Sequence, residues 1–247
     1  MDTTNPGLMQ DFDLTIPTLL EHAATNHGNT EVVARLQDGS IFRYTYGELA
    51  NRSRQAANAL TRLGIGYGDF IGTLAWNHHW HMECFYAIPG IGAVCHTVNP
   101  RLFEDQIVYI INHAGDRMLM VDQDFVGLAE RIVDQIPKVE QFIILGSRGC
   151  VEHPTKLGDV LYYDDLIADE ASEIDWPAFD ESTASGLCYT SGTTGNPKGV
   201  LYAHRSTVLH SMAIAQPDNL SISALDCVMP AAPLYHAQSW GCLLYTS

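Results

Sequence analysis

The ten residues 190-TSGTTGNPKG-199 gather four hydroxyls, three glycines and one lysine. Glycines let the main chain bend so that successive N–H groups point at one anion, and hydroxyls can donate beside them. Lys198 adds a mobile full charge, and a charge-assisted hydrogen bond of this kind contributes roughly 1.5–3 kcal/mol. This is chemistry suited to holding phosphates. The loop is not the Walker A pattern, which needs glycine where this chain has Pro197 and Ser or Thr where it has Gly199. The dinucleotide fingerprint G-x-G-x-x-G fails as well, because Thr193 and Thr194 follow Gly192 directly. Composition alone also fits a surface turn, since Gly, Ser, Thr, Asn and Pro are all turn residues. The density of hydroxyls and the elements expected on either side favour the phosphate reading.

Two other groupings could do chemistry and are set aside. In 77-NHHWHMEC-84, His79 and His81 lie two apart, not at the i, i+4 spacing of a helical zinc site. The H-x-E at His81–Glu83 lacks the P-C-x-x-C of zinc deaminases. These residues are expected to open a helix instead. The absence of any G-x-S-x-G argues against a nucleophile elbow.

The elements that must position the loop read as follows. A helix is expected over Pro17–Asn26. A hairpin follows, EVVARL and IFRY, around Gln37-Asp38-Gly39-Ser40. Thr45-Tyr46-Gly47-Glu48 is a T-x-x-E capping box opening a helix to Leu63, with Gly64 as its stop. Apolar runs at 70–75, 94–98, 117–122 and 141–146 read as strands, with helices after the first and over 103–115 and 126–136. Strands of continuous apolar residues alternating with helices imply an α/β fold, a parallel sheet covered by helices on both faces. Residues 147–183 read as polar and irregular. A strand is expected at 186–190, then the glycine-rich loop, a helix at 203–216 and a further strand at 227–232. In this reading the loop lies between a strand and a helix, where backbone N–H groups and the positive helix end can meet an anion.

The chain has 247 residues, of which 46% are hydrophobic, enough for one large core or two modest ones. Thirteen basic against 29 acidic residues give a net charge of −16, a surface that repels nucleic acid. Screening over about 8 Å weakens that argument for a nucleotide, which a local cluster of donors can still hold. The acidic start lacks the features of a signal peptide, and the run at 85–95 is too short to span a bilayer. Six cysteines without a C-x-x-C pair read as buried or free thiols, and the expected location is cytoplasmic.

TSGTTGNPKG resembles the phosphate-loop signature of the adenylate-forming superfamily, which includes acyl-CoA synthetases, luciferases and peptide adenylation domains. TVNPRLFEDQIVYIINHAGDRMLMVD (97–122) and PLYHAQSWG (233–241) resemble, in order, the flanking motifs of fatty-acid and related alkanoate–CoA ligases. The resemblance implies activation of a carboxylic acid by ATP with Mg²⁺, through an acyl-adenylate, followed by transfer to coenzyme A. By the same resemblance, Thr190, Ser191, Gly192, Thr193, Thr194, Gly195 and Lys198 contact the phosphates, while His236 and Trp240 border the acyl group. Residues 1–247 then form the N-terminal portion of the adenylation domain, with the C-terminal lid domain and its catalytic lysine absent. An inactive fragment is the resulting expectation, and a homodimer is left open. The alternatives are a non-catalytic module and a phosphotransferase built on the same loop.

Overall fold

The computed structural model describes Met9 and residues 12–151, 156–190 and 196–236. Its centre is a seven-stranded sheet in the order β7-β6-β5-β3-β4-β8-β9. The strands are β3 (Phe70–Leu74), β4 (Val94–Thr97), β5 (Met118–Asp122), β6 (Gln141–Leu145), β7 (Leu161–Tyr162), β8 (Ala184–Thr190) and β9 (Lys198–Ala203). All neighbours pair in parallel except β8 and β9, which are antiparallel. A separate hairpin joins β1 (Glu31–Arg35) to β2 (Ile41–Thr45). Its turn needs the left-handed backbone of Gly39, at φ +84°.

Alternation along each strand divides the core into two layers. Ile71, Met118, Met120, Ile143 and Leu145 face one side, under α2 (Tyr46–Arg62), α3 (His79–Gly90) and α6 (Tyr163–Ile167). Leu74, Leu119, Val121, Phe142 and Ile144 face the other, under α4 (Glu104–Ala114) and α5 (Val126–Ile132). Both faces are therefore dry, which is why these strands are mostly apolar, with buried Thr73, His96, Thr97 and Asp122 as the polar exceptions. A third cluster joins α1 (Ile16–His27) to Tyr44, Leu49, Phe85, Tyr86 and, from far along the chain, Leu234.

The capping box forms as the sequence predicts. Thr45 Oγ1 accepts from Glu48 N at 3.2 Å, and Glu48 Oε2 accepts from Thr45 N at 2.8 Å. The histidines do open a helix. His78 is the N-cap of α3, its Nδ1 accepting from His81 N at 3.2 Å. His79 stacks on Phe42 with ring centroids 3.8 Å apart, and His81 Nδ1 donates to Trp76 O at 3.0 Å. Every residue of α3 is buried, and desolvation holds His79 and His81 neutral, with pKa values lowered to about 3.

Three expectations need correction. Residues 147–183 are not wholly irregular, because LYYDDLI supplies β7 and α6, with Tyr162, Tyr163 and Ile167 buried. Residues 227–232 form no strand. A strand requires a hydrogen-bonding partner, and this segment pairs with neither β7 nor β9.

The third correction concerns the glycine-rich loop, which does not run into a helix. KGVLYA turns back as β9, so the loop joins two antiparallel strands. The following helix, α7 (His204–Ile214), starts at the far end of that hairpin, where His204 N donates to Thr183 O at 3.0 Å. Six strand residues span roughly 20 Å. The positive end of α7 is thus at the opposite edge of the sheet from the loop.

Candidate functional site

The carboxyl ends of β3, β4, β5 and β8 share one edge of the sheet. The connection from β4 crosses β3 to reach β5, whereas β8 leads outward to β9. The chain therefore diverges between the ends of β4 and β8, and such points of divergence are where open α/β sheets commonly bind ligands.

Thr190 closes β8 there. It pairs in register with Lys198, and its Oγ1 lies 3.4 Å from Lys198 O. Both side chains are exposed at this edge. Ser191, Gly192, Thr193, Thr194 and Gly195 lie outside the described residues, as does Trp240. One rung below, Tyr189 pairs with Gly199. A Cβ added at Gly199 would lie 3.3 Å from Tyr189 Cζ and 3.2 Å from Leu187 Cδ1, so the ring covers this glycine across the strands. The Tyr189 hydroxyl is 2.7 Å from His113 Nδ1 on α4. Burial, aided by the nearby Asp116 carboxylate, pushes its pKa up to about 12, so it remains a neutral phenol.

His236 reaches the same edge from a different part of the chain. Its amide donates to Pro233 O at 2.9 Å, and its side chain is exposed. Thr97, at the end of β4, stands between the two groups. Its Oγ1 is 3.1 Å from Cys188 Sγ on β8 and 3.4 Å from Tyr235 O. Thr190 and Lys198 are thus brought together by strand pairing, and Tyr235, the neighbour of His236, is tied to the end of β4 through Thr97.

Sequence reasoning passed over Asn77, which holds the segment that carries His236. Its Nδ2 donates to Ala232 O at 2.9 Å and Pro230 O at 3.4 Å, while its Oδ1 accepts from Leu234 N at 2.8 Å. The only visible signal was an asparagine shortly after an apolar strand, and the neighbouring histidines drew attention from it. Asn77 is itself fixed from both sides. Asp122, fully buried at the end of β5, accepts from Trp76 N at 3.3 Å and from His78 Nε2 at 2.7 Å. It also accepts from Gln37 Nε2, at 2.8 and 2.7 Å to its two oxygens.

A mostly parallel sheet with helices on both faces, carrying a hydroxyl- and glycine-rich loop at its carboxyl edge, is the N-terminal architecture of adenylate-forming enzymes. The fold matches a natural red-emitting luciferase from Phrixothrix hirtus with a TM-score of 0.82 at 17% identity, over 99% of this chain and 46% of that one. The chain belongs to the family of AMP-binding enzymes, whose model matches residues 20–247. It is 49% identical over 235 residues to a 3-methylmercaptopropionyl-CoA ligase of Ruegeria lacuscaerulensis, covering 95% of this chain and 43% of the relative. It is 45% identical to a medium-chain-fatty-acid–CoA ligase of Ectopseudomonas oleovorans, with the same coverage. The chain thus spans less than half the length of these relatives.

Proposed function

We propose that this chain is the N-terminal part of the adenylation domain of an ATP-dependent acyl-CoA ligase acting on a medium- or long-chain fatty acid or a related alkanoate. The observation that carries this reading is the TSGTTGNPKG loop at the carboxyl edge of the sheet, in a chain 49% identical to a CoA ligase.

A carboxylate oxygen attacks the α-phosphorus of ATP, and the bond to the bridging oxygen breaks with pyrophosphate leaving. The thiol sulfur of coenzyme A then attacks the acyl carbonyl carbon, and AMP departs. Charge builds on the pyrophosphate as its bond breaks. The hydroxyls and amides of Thr190, Ser191, Gly192, Thr193, Thr194 and Gly195, with the ammonium of Lys198, stabilise that charge. Because β9, not a helix, follows the loop, peptide N–H groups and Lys198 supply this stabilisation without a helix dipole. Magnesium enters with ATP as the Mg–ATP substrate, and the exposed Thr190 hydroxyl is a hard oxygen donor of the type it accepts. His236 and Trp240 border the acid.

The remainder of the domain supplies the rest of the nucleotide site, so the 247-residue chain by itself is inactive. The test is carboxylate-dependent ATP–pyrophosphate exchange across a panel of acids, run on this chain and on one extended to the relatives' length. The extended protein is expected to exchange with alkanoates and the chain alone is not. ATP hydrolysis indifferent to any acid would point to phosphotransfer instead. In the extended protein, Trp240→Ala is expected to alter chain-length preference, and an unchanged preference removes Trp240 from the acid site.

A further inference from the structure

The segment 230–236 has no strand partner, yet it carries His236 to the sheet edge. Pro230 and Pro233 cannot donate hydrogen bonds, and a backbone without regular pairing must find other partners. One side chain supplies three of them. The Asn77 amide donates to two carbonyls and accepts from one N–H, an arrangement that only one orientation of the amide satisfies. Leu234, the last of the bonded residues, is buried in the cluster with Leu20, Leu49 and Phe85, which anchors the segment from below. Behind Asn77, the buried Asp122 holds Trp76 and His78, the residues on either side of it. The arrangement is a two-tier brace running from the end of β5, through Asn77, to the backbone immediately preceding Tyr235 and His236.

We infer that Asn77 is a positioning residue for the acid side of the site, setting where His236 stands relative to the acyl group. The inference rests on the ligase reading above. It also separates the two halves of the site. Thr190 and Lys198 are set by β8–β9 pairing, to which Asn77 makes no hydrogen bond, so the brace reaches the nucleotide side only indirectly, through Thr97.

The decisive variant is Asn77→Asp in the extended ligase. It keeps an acceptor for Leu234 N, removes both donated bonds and turns a carboxylate toward two carbonyl oxygens. Asn77→Ser is the uncharged second variant, should the first fail to fold. Steady-state kinetics are expected to show the KM for the acid raised about 5- to 20-fold and the KM for ATP unchanged within about twofold, consistent with loss of hydrogen bonds of this type. Hydrogen–deuterium exchange of the same proteins is expected to show faster exchange across 230–236. Equal rises in both KM values, or unchanged exchange throughout 230–236, would overturn the inference. A wild-type protein that shows no acid-dependent ATP–pyrophosphate exchange would overturn the ligase reading, while hydrogen–deuterium exchange across 230–236 would still report whether Asn77 braces the segment.

Discussion

Replacing Glu83 by Gln removes the one carboxyl group buried within α3, and the consequence for stability follows from how Arg52 is shared. Arg52 Nε donates to Glu83 Oε1 at 2.8 Å and its NH2 group donates to Asp164 Oδ1 at 2.8 Å. One guanidinium thus serves two carboxylates. Glu83 is completely buried, and desolvation outweighs Arg52 to push its pKa from 4.5 up to about 7. Burial opposes the charge on Asp164 too, but hydrogen bonds from Arg52, Trp80 and Ser147 prevail and hold it below the usual carboxylate range. Asp164 keeps the charge and Glu83 takes the proton.

With an unfolded value of 4.5 and a folded value of about 7, the native state binds the extra proton between those limits. The stability contributed by Glu83 is therefore complete below about pH 4.5 and is lost as pH rises through about 7. At about 1.4 kcal/mol per pH unit of pKa difference, the loss is on the order of 3 kcal/mol. Glu83→Gln keeps the side-chain shape and does not titrate. Urea unfolding of both proteins at several pH values from about 4.5 to 7.5 isolates this one group, because every other titration cancels in the difference. The wild type is expected to lose about 3 kcal/mol relative to Glu83→Gln across that range. A flat difference, or a wild type that gains on the variant as pH rises, would show that Arg52 keeps Glu83 ionised and that the division of charge argued above is wrong.

Buried His79, held neutral with a pKa of about 3, makes the opposite contribution, present above its ordinary value of 6.5 and lost on acidification. His79→Phe, which keeps the stack on Phe42, should move the acid-unfolding midpoint to lower pH by circular dichroism, and an unchanged midpoint would count against the burial argument. Thr45→Ala breaks the capping box of α2 and should cost about 1 kcal/mol in denaturant unfolding. A cost near zero would mean that tertiary packing alone fixes the start of that helix. Gly199→Ala in the extended ligase displaces the Tyr189 ring from the rung beneath Thr190 and Lys198, an overpacking of about 1–3 kcal/mol. Its kinetic effect should fall on the KM for ATP, and a change confined to the acid would contradict the placement of the loop.

The parts of the fold that could be read from sequence are those with a local cause. Four strands with both faces buried are predominantly apolar runs, and Thr45 and Glu48 mark a helix start by their own hydrogen bonds. What escaped depends on partners distant in sequence. KGVLYA becomes β9 because β8 offers it an edge, and CVMPAA stays irregular because neither sheet edge receives it. Of the site, Thr190, Lys198 and His236 were visible as residue types within motifs. Asn77 was not, because its meaning lies in three backbone groups some 150 residues onward.

The position of β8 also has a consequence for how the molecule assembles during synthesis. In chain order, β3 to β7 can build a five-stranded sheet before β8 exists, and β4 then forms one of its margins. The strand that must cover that margin begins at Ala184, whereas β4 ends at Thr97, a separation of 87 residues (184 − 97). At ribosomal rates of about 5–20 residues per second, β4 waits on the order of ten seconds for its neighbour. Pairing across such a separation closes a long loop and is intrinsically slow. The nascent chain therefore completes the five-stranded scaffold before it acquires the glycine-rich loop, so a slow phase in folding should coincide with the appearance of the candidate site.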